Sequence, residues 1–198
     1  LTGQKPQIVL ASTSLYRRQL LEKLAIPFQQ VDPDYQEFAV EGESPPDKAL
    51  RLARGKAAAA AQEWNPETEA LIIGSDQVAH CEAKVFSKPG GFHRAMQQLQ
   101  HCSGKWTTFS TAVSLYNEKG EELDSFIDEY HLKFRQLSSD DIERYLELDQ
   151  PYDCAGSIKA ESHGILLIEA TKGLDVNALY GLPLIKLTTS LNHLGALP

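Results

Sequence analysis

Two short apolar runs, "QIVLA" at Gln7–Ala11 and "ALIIGS" at Ala70–Ser75, flank a pair of helical stretches. This arrangement narrows the possible folds more than any other feature of the chain. Each run is too short for a stable helix and reads as a buried strand. After the first run, Ser12, Thr13 and Ser14 offer helix N-caps. "YRRQLLEKL" then sets Leu20, Leu21 and Leu24 on one helical face. Pro27 marks the exit. "VDPDYQEFAVEGESP" reads as loop, with room for a short strand. Pro45 and Pro46 suit the opening of a second helix, which runs through "DKALRLARGKAAAAAQEW".

Beyond Ser75 the pattern continues. "GFHRAMQQLQHC" predicts a helix with Phe92, Met96 and Leu99 on one face. "TTFSTAVSLY", "NEKG" and "EELDSFIDEYHLKFRQL" predict a long β-hairpin, whose second arm turns Phe126, Tyr130, Leu132 and Phe134 inward. Ser138 and Asp141 stand in capping-box spacing at the head of "SSDDIERYLEL". "GILLIEA" reads as a strand, and "LPLIKLTTSLNHLG" as a final helix with Leu184, Leu187, Leu191 and Leu194 in line. Helices interleaved with strands plus a long hairpin predict an α/β fold, a mixed central β-sheet flanked by helices. The 198 residues, 42% hydrophobic, suffice for one core and are expected to form a single domain over 1–198.

Composition excludes several functions. A net charge of −8 disfavours nonspecific nucleic-acid binding, so no nucleic-acid partner is expected. No apolar run is long enough to span a membrane. Cys81, Cys102 and Cys154 form no CxxC pair, which argues against a disulfide framework or zinc site and fits a cytoplasmic protein. The opening residues lack the regions of a signal peptide, and Leu1 to Gln4 are set aside from function. The histidines, His80, His93, His101, His131, His163 and His193, show no ligand spacing. An anionic ligand would need cations converging near a carboxylate.

Two strand ends carry unusual chemistry. In "LASTSLYRR" the serines and free helix N–H groups make an anion site, and Arg17 and Arg18 add cations suited to phosphate. Helix capping with solvated arginines is the better explanation of an isolated motif of this kind, and the sequence does not choose between the two arginines. In "IIGSDQ", a tight turn after Gly74 and Ser75 would lift Asp76 out of the sheet, where it could hold a divalent metal or take a proton from water. The plain alternative is an Asx-turn. Glu37, Lys56 and Lys88 are, singly, surface charges. No Walker phosphate loop is present.

Taken together and in order, "LASTSLYRRQLLEKL", Glu37, "LARGKA", "IIGSDQV", "SKP", "CAGSIKAESHGILLIE" and "GLDVNALYGLPL" resemble the Maf family of nucleotide pyrophosphatases from Gln7 to about Leu194. The resemblance implies a fold like that of the inosine-triphosphate pyrophosphatases, usually as a homodimer. It also implies hydrolysis of a nucleoside triphosphate to the monophosphate and pyrophosphate with a divalent metal, Mg2+ or Mn2+. On this resemblance Asp76 is the general base, and Asp76 and Glu37 the metal-binding carboxylates. Ser12, Ser14, Arg17 and Arg18 form the phosphate-binding start, with Lys56 and Lys88 as cationic site positions. Leu15 stands where relatives usually carry proline, and Ser87 where they often carry glycine.

Three positions separate the family's subgroups, and here they read Tyr16, Gln77 and Glu161. Arg, Thr and Gln at these places look like the dTTP/UTP pyrophosphatases. An aromatic, Gln and Glu look like the 7-methyl-GTP pyrophosphatases, although the usual aromatic is tryptophan. An aromatic face attracts the cationic N7-methylguanine ring, and a carboxylate can accept from guanine's N1–H and N2–H₂. The remaining expectations are a pyrophosphatase for another nucleotide, or a non-catalytic nucleotide-binding regulator of cell division.

Overall fold

The computed structural model describes residues 5–65 and 67–197; Leu1–Gln4 lie outside them. In chain order the elements are β1 (Gln7–Ala11), α1 (Leu15–Glu22), β2 (Phe28–Val31), α2 (Pro45–Glu63), β3 (Ala70–Cys81), β4 (Lys84–Phe86), α3 (Phe92–Cys102), β5 (Trp106–Asn117), β6 (Glu122–Phe134), α4 (Ser139–Asp149), β7 (Ile168–Lys172), α5 (Val176–Leu179) and α6 (Leu184–His193). The strands pair in the order β2-β1-β3-β5-β6-β7, with β4 on β3. β1 runs parallel to β2 and β3, whereas β3–β4 and β6–β7 are antiparallel. The sheet is therefore mixed, and helices flank it.

The chain forms two compact units. The first contains residues up to Gln77, Thr111–Asp128, and Asp175 onward. Here the strands alternate their side chains between two helical layers. Ile8, Leu10, Leu71 and Ile73 join the α1 and α6 residues Leu20, Leu21, Leu187 and Leu191 in one core. Val9, Ala11, Ala70 and Ile72 face α2, whose Ala57, Ala60 and Ala61 form the other side of a second core. The alanine run thus allows α2 to lie close on the sheet. The approach is closest at Gly74, where a Cβ would fall 2.2 Å from the Ala53 carbonyl oxygen and 2.7 Å from the Ala57 nitrogen.

That contact corrects one expectation. Gly74 is not the start of a turn: β3 continues through Asp76 and Gln77 to Cys81. The glycine marks a close backbone approach inside a strand. Asp76 is consequently a buried mid-strand residue, 8% exposed.

The second unit comprises Val78–Ser110 and Glu129–Leu174. Leu99 of α3, Ile142, Tyr145 and Leu146 of α4, and Phe109, Leu132 and Phe134 of the strands are buried in it. On α3 the inward face is Ala95, Gln98, Leu99 and Cys102, with Phe92 and Met96 only half-buried. "GILLIEA" is not one strand: His163–Leu167 is a 3-10 turn and β7 begins at Ile168. The Lys159 carbonyl accepts from both Ser162 N–H and Gly164 N–H, which curls the chain before the strand starts. β4 is a strand that the sequence reading placed within a loop, and β2, at Phe28–Val31, ends at the first residue of the segment in which a short strand was expected. At α4 the expected capping box between Ser138 and Asp141 is formed.

Candidate active site

Strand alternation decides which face each residue of "GSDQ" serves. Gly74 and Asp76 face α2, and Ser75 and Gln77 face the opposite layer. Lys56, one residue beyond Gly55 on α2, reaches Asp76 with Nζ 2.5 Å from Oδ1. The same Nζ lies 2.7 Å from Oε1 of Glu37. The Lys56 and Asp76 side chains are only 14% and 12% exposed, while Glu37 is 51% exposed, at the mouth of the cluster. Burial pushes the Glu37 carboxyl up, but the hydrogen bond and charge of Lys56, with Lys48 and Arg17 farther off, outweigh it and hold it below the usual carboxylate range.

Arg17 is the arginine turned inward. Its Nε donates to the Gly181 carbonyl at 2.9 Å, and an Nη donates to Ser12 Oγ at 3.4 Å. Burial lowers its proton affinity, and the charges of Asp76 and Glu37 partly offset that. Arg18 instead pairs with Glu22 one turn on, in the open. Ser14 caps α1 by accepting from Arg17 N–H, and Ser12 Oγ accepts from Ser14 N–H. Gln30 of β2 donates to the Ser12 carbonyl at 2.6 Å, so the overlooked strand fixes the turn between β1 and α1.

On the other face, Gln77 donates its amide to the Ala178 and Leu179 carbonyls at 2.8 and 2.9 Å, and to Thr111 Oγ1 at 3.0 Å. Ser75 Oγ donates to the Gly181 carbonyl. Ser75, Gln77, Thr111 and Arg17 together hold the carbonyls of the α5 segment, which ties "GLDVNALYGLPL" to "IIGSDQV". Gln77 therefore ties down backbone from the face opposite Asp76. Tyr16 is half-buried on α1.

Lys88 and Glu161 lie exposed in the second unit. There Gln98 of α3 donates to the Ser87 carbonyl and accepts from Ser157 Oγ, so one amide ties "SKP" to "CAGS". Two of the histidines take structural roles: His131 bonds Thr108, and His163 pairs with the buried side chain of Asp149.

Asp76 and Glu37 each meet Lys56 through one carboxylate oxygen. Among the described residues no cluster of three or more His, Cys, Asp or Glu is placed to hold a metal. A pair of carboxylates suits Mg2+, which is commonly held by one or two of them together with waters and substrate phosphates. The residues present fit such an ion, and Asp76 and Glu37 are the side chains that would hold it.

Two carboxylates share a half-buried lysine, with an inward arginine beside them, on the mixed sheet of an α/β protein. The chain belongs to the Maf family: residues 7–194 match the family described as Maf-like protein. It is 46% identical over 188 residues to the 7-methyl-GTP pyrophosphatase of Alcanivorax borkumensis, covering 95% of this chain and 94% of that one. It is 45% identical over 189 residues to that of Vibrio vulnificus, with 96% and 95% covered. To that of Idiomarina loihiensis it is 41% identical over 191 residues, with 96% of each covered. Among solved structures, a dITP/XTP pyrophosphatase from Mycobacterium abscessus overlays with a TM-score of 0.41 at 17% identity, covering 66% of this chain and 75% of that chain, a likeness too loose to argue from.

Proposed function

We propose that this protein hydrolyses 7-methyl-GTP to the monophosphate and pyrophosphate. The carrying observation is the Lys56 bridge between Asp76 and Glu37, in a chain whose relatives over nearly their whole length are named for that activity. In this reading Asp76 takes a proton from water as its oxygen bonds the α-phosphorus. The bond from that phosphorus to the bridging oxygen breaks, and the electron pair leaves with pyrophosphate. Lys56 holds the Asp76 carboxylate in place through their contact and, with Arg17, offsets charge that grows on the phosphoryl oxygens. A Mg2+ or Mn2+ ion on Asp76 and Glu37 would supply further neutralisation of the triphosphate. Lys88 is proposed, on the family resemblance alone, as a further cation for the phosphates. Tyr16 and Glu161 select the cationic base. Gln77 acts by holding backbone rather than by reading the base.

The protein is proposed to work as a homodimer in the cytoplasm; no helix among the described residues is long and apolar enough to cross a membrane. The deciding experiment measures pyrophosphate release from 7-methyl-GTP, GTP, UTP and dTTP with Mg2+ or Mn2+. Preferential release from 7-methyl-GTP is expected. Preference for UTP or dTTP would move the protein to the other subgroup, and no release from any of them would favour a binding regulator.

A further inference from the structure

Glu37 sits in a segment with no regular structure, between the end of β2 at Val31 and the start of α2 at Pro45. Burial anchors little of this segment beyond Pro33: Phe38 is 60% and Val40 45% exposed. Its attachments instead converge on one stripe of α2. Arg51 Nε and Nη2 grip both carboxylate oxygens of Glu43 at 2.7 and 2.8 Å. Nη2 also donates to the Phe38 carbonyl at 3.2 Å, and the guanidinium lies 4.8 Å above the Phe38 ring. One turn farther along α2, Tyr35 lies on Gly55, where a Cβ would fall 2.2 Å from its ring. Glu37 is two residues beyond Tyr35 and one before Phe38, and Lys56 directly follows Gly55.

We propose that Arg51 is a positioning residue that clamps the Asp32–Ser44 segment onto α2 and so holds the Glu37 carboxylate at Lys56. Glycine is costly inside a helix, and Gly55 is the seat that lets Tyr35 close. A planar fork binding a carboxylate by two hydrogen bonds fixes orientation as well as distance. The second grip, on the Phe38 carbonyl, fixes the backbone next to Glu37 itself. The functional half of this inference rests on the reading of Glu37 as a carboxylate of the active site. The clamp itself does not.

Hydrogen exchange and kinetics test the two halves separately. In Arg51→Ala, amide exchange should quicken across residues 32–44 and remain as in the parent elsewhere. Unchanged exchange there would overturn the clamp. In the same variant kcat/KM for 7-methyl-GTP should fall about 10- to 100-fold, the scale of a catalytic group displaced by a fraction of its length. Because Arg51 acts through Glu37, the double variant Arg51→Ala/Glu37→Gln should match Glu37→Gln within about twofold. Losses that multiply instead would show that Arg51 acts elsewhere. If Glu37→Gln alone retains full activity, the role of Glu37 in the active site fails, while the exchange result still decides the clamp. Glu43→Gln, which weakens the fork but leaves the carbonyl and ring contacts, should give smaller changes in the same directions and serves if Arg51→Ala does not fold.

Discussion

Asp76 and Gln77, neighbours in the chain, serve opposite faces of β3: Asp76 meets Lys56 of α2 at 2.5 Å, and Gln77 meets the Ala178 carbonyl at 2.8 Å. One strand residue is therefore the proposed base, and the next secures the segment that Arg17 also holds through Gly181. The two positions should respond differently to substitution.

Asp76→Asn is nearly isosteric, keeps an oxygen near Lys56 and removes the base. The fold should be retained, and turnover should fall about 10²–10⁴-fold, the usual scale of lost acid–base catalysis. Steady-state pyrophosphate release checks this; activity within about twofold of the parent would make Asp76 a structural partner of Lys56 alone.

Gln77→Leu keeps the bulk but leaves the Leu179 carbonyl without its donor, while Thr111 Oγ1 still serves Ala178 at 2.7 Å. An unsatisfied acceptor of this kind costs about 1–3 kcal/mol, which urea denaturation should record. Any change in base selectivity should come with faster hydrogen exchange in residues 175–181. Altered selectivity with unchanged exchange there would return Gln77 to direct contact with the base.

Gly74→Ala tests the seat of α2. The Cβ would meet the Ala53 carbonyl and the Ala57 nitrogen, both backbone atoms that no rotamer can move aside. Overpacking of this kind costs about 1–3 kcal/mol or more, and the strain would lift Lys56 from Asp76. A lower denaturation midpoint together with lost turnover is expected.

Much of this was legible along the chain. The strand at Gln7–Ala11, the prolines opening α2 and the Ser138 capping box follow from local rules that tertiary packing did not overrule. The alternation in β6 also held, with Phe126, Tyr130, Leu132 and Phe134 at least half-buried and Asp128 in the same register, 6% exposed and 3.4 Å from Lys186. Gly74 misled because a turn glycine and a close-approach glycine look alike until the partner helix is known. β2 was hidden because "FQQV" has no apolar run, and Gln30 works through its amide. Arg51 carries no local signal along the chain, since Glu43 and Phe38 reach it only after the loop folds back. The Lys56–Asp76 bridge spans residues that no local pattern connects.

Acid should loosen the segment that carries Glu37. Arg51 holds the Glu43 carboxyl below its ordinary value of 4.5, chiefly through their hydrogen bond, and Glu37 is also held below it, burial opposing and Lys56 prevailing. A carboxyl whose folded pKa is depressed adds stability that is complete above the unfolded value and is lost as pH falls through the folded one. Stability from these two groups should therefore be full at neutral pH and decline below about pH 4.5. Denaturation midpoints measured from neutral pH down to this range should fall less steeply for Glu43→Gln than for the parent. Equal slopes would mean that the Glu43–Arg51 pair adds nothing to stability.

Selectivity for the methylated base should depend on charge at Tyr16 and Glu161. N7-methylation adds a positive charge to the guanine ring and leaves the triphosphate as it was, so the ratio of kcat/KM for 7-methyl-GTP over GTP isolates the base from the phosphates. Tyr16→Arg places a cation where an aromatic face would attract the ring. Glu161→Gln keeps the size and an acceptor but removes the opposing charge. A desolvated contact between a cation and an aromatic face or carboxylate is worth about 1–2 kcal/mol, or roughly 5- to 30-fold in that ratio for each change. Both variants should lower the ratio, and each should affect GTP turnover less than 7-methyl-GTP turnover. A ratio unchanged in both would remove the 7-methyl-GTP assignment while leaving pyrophosphate release by Asp76 intact.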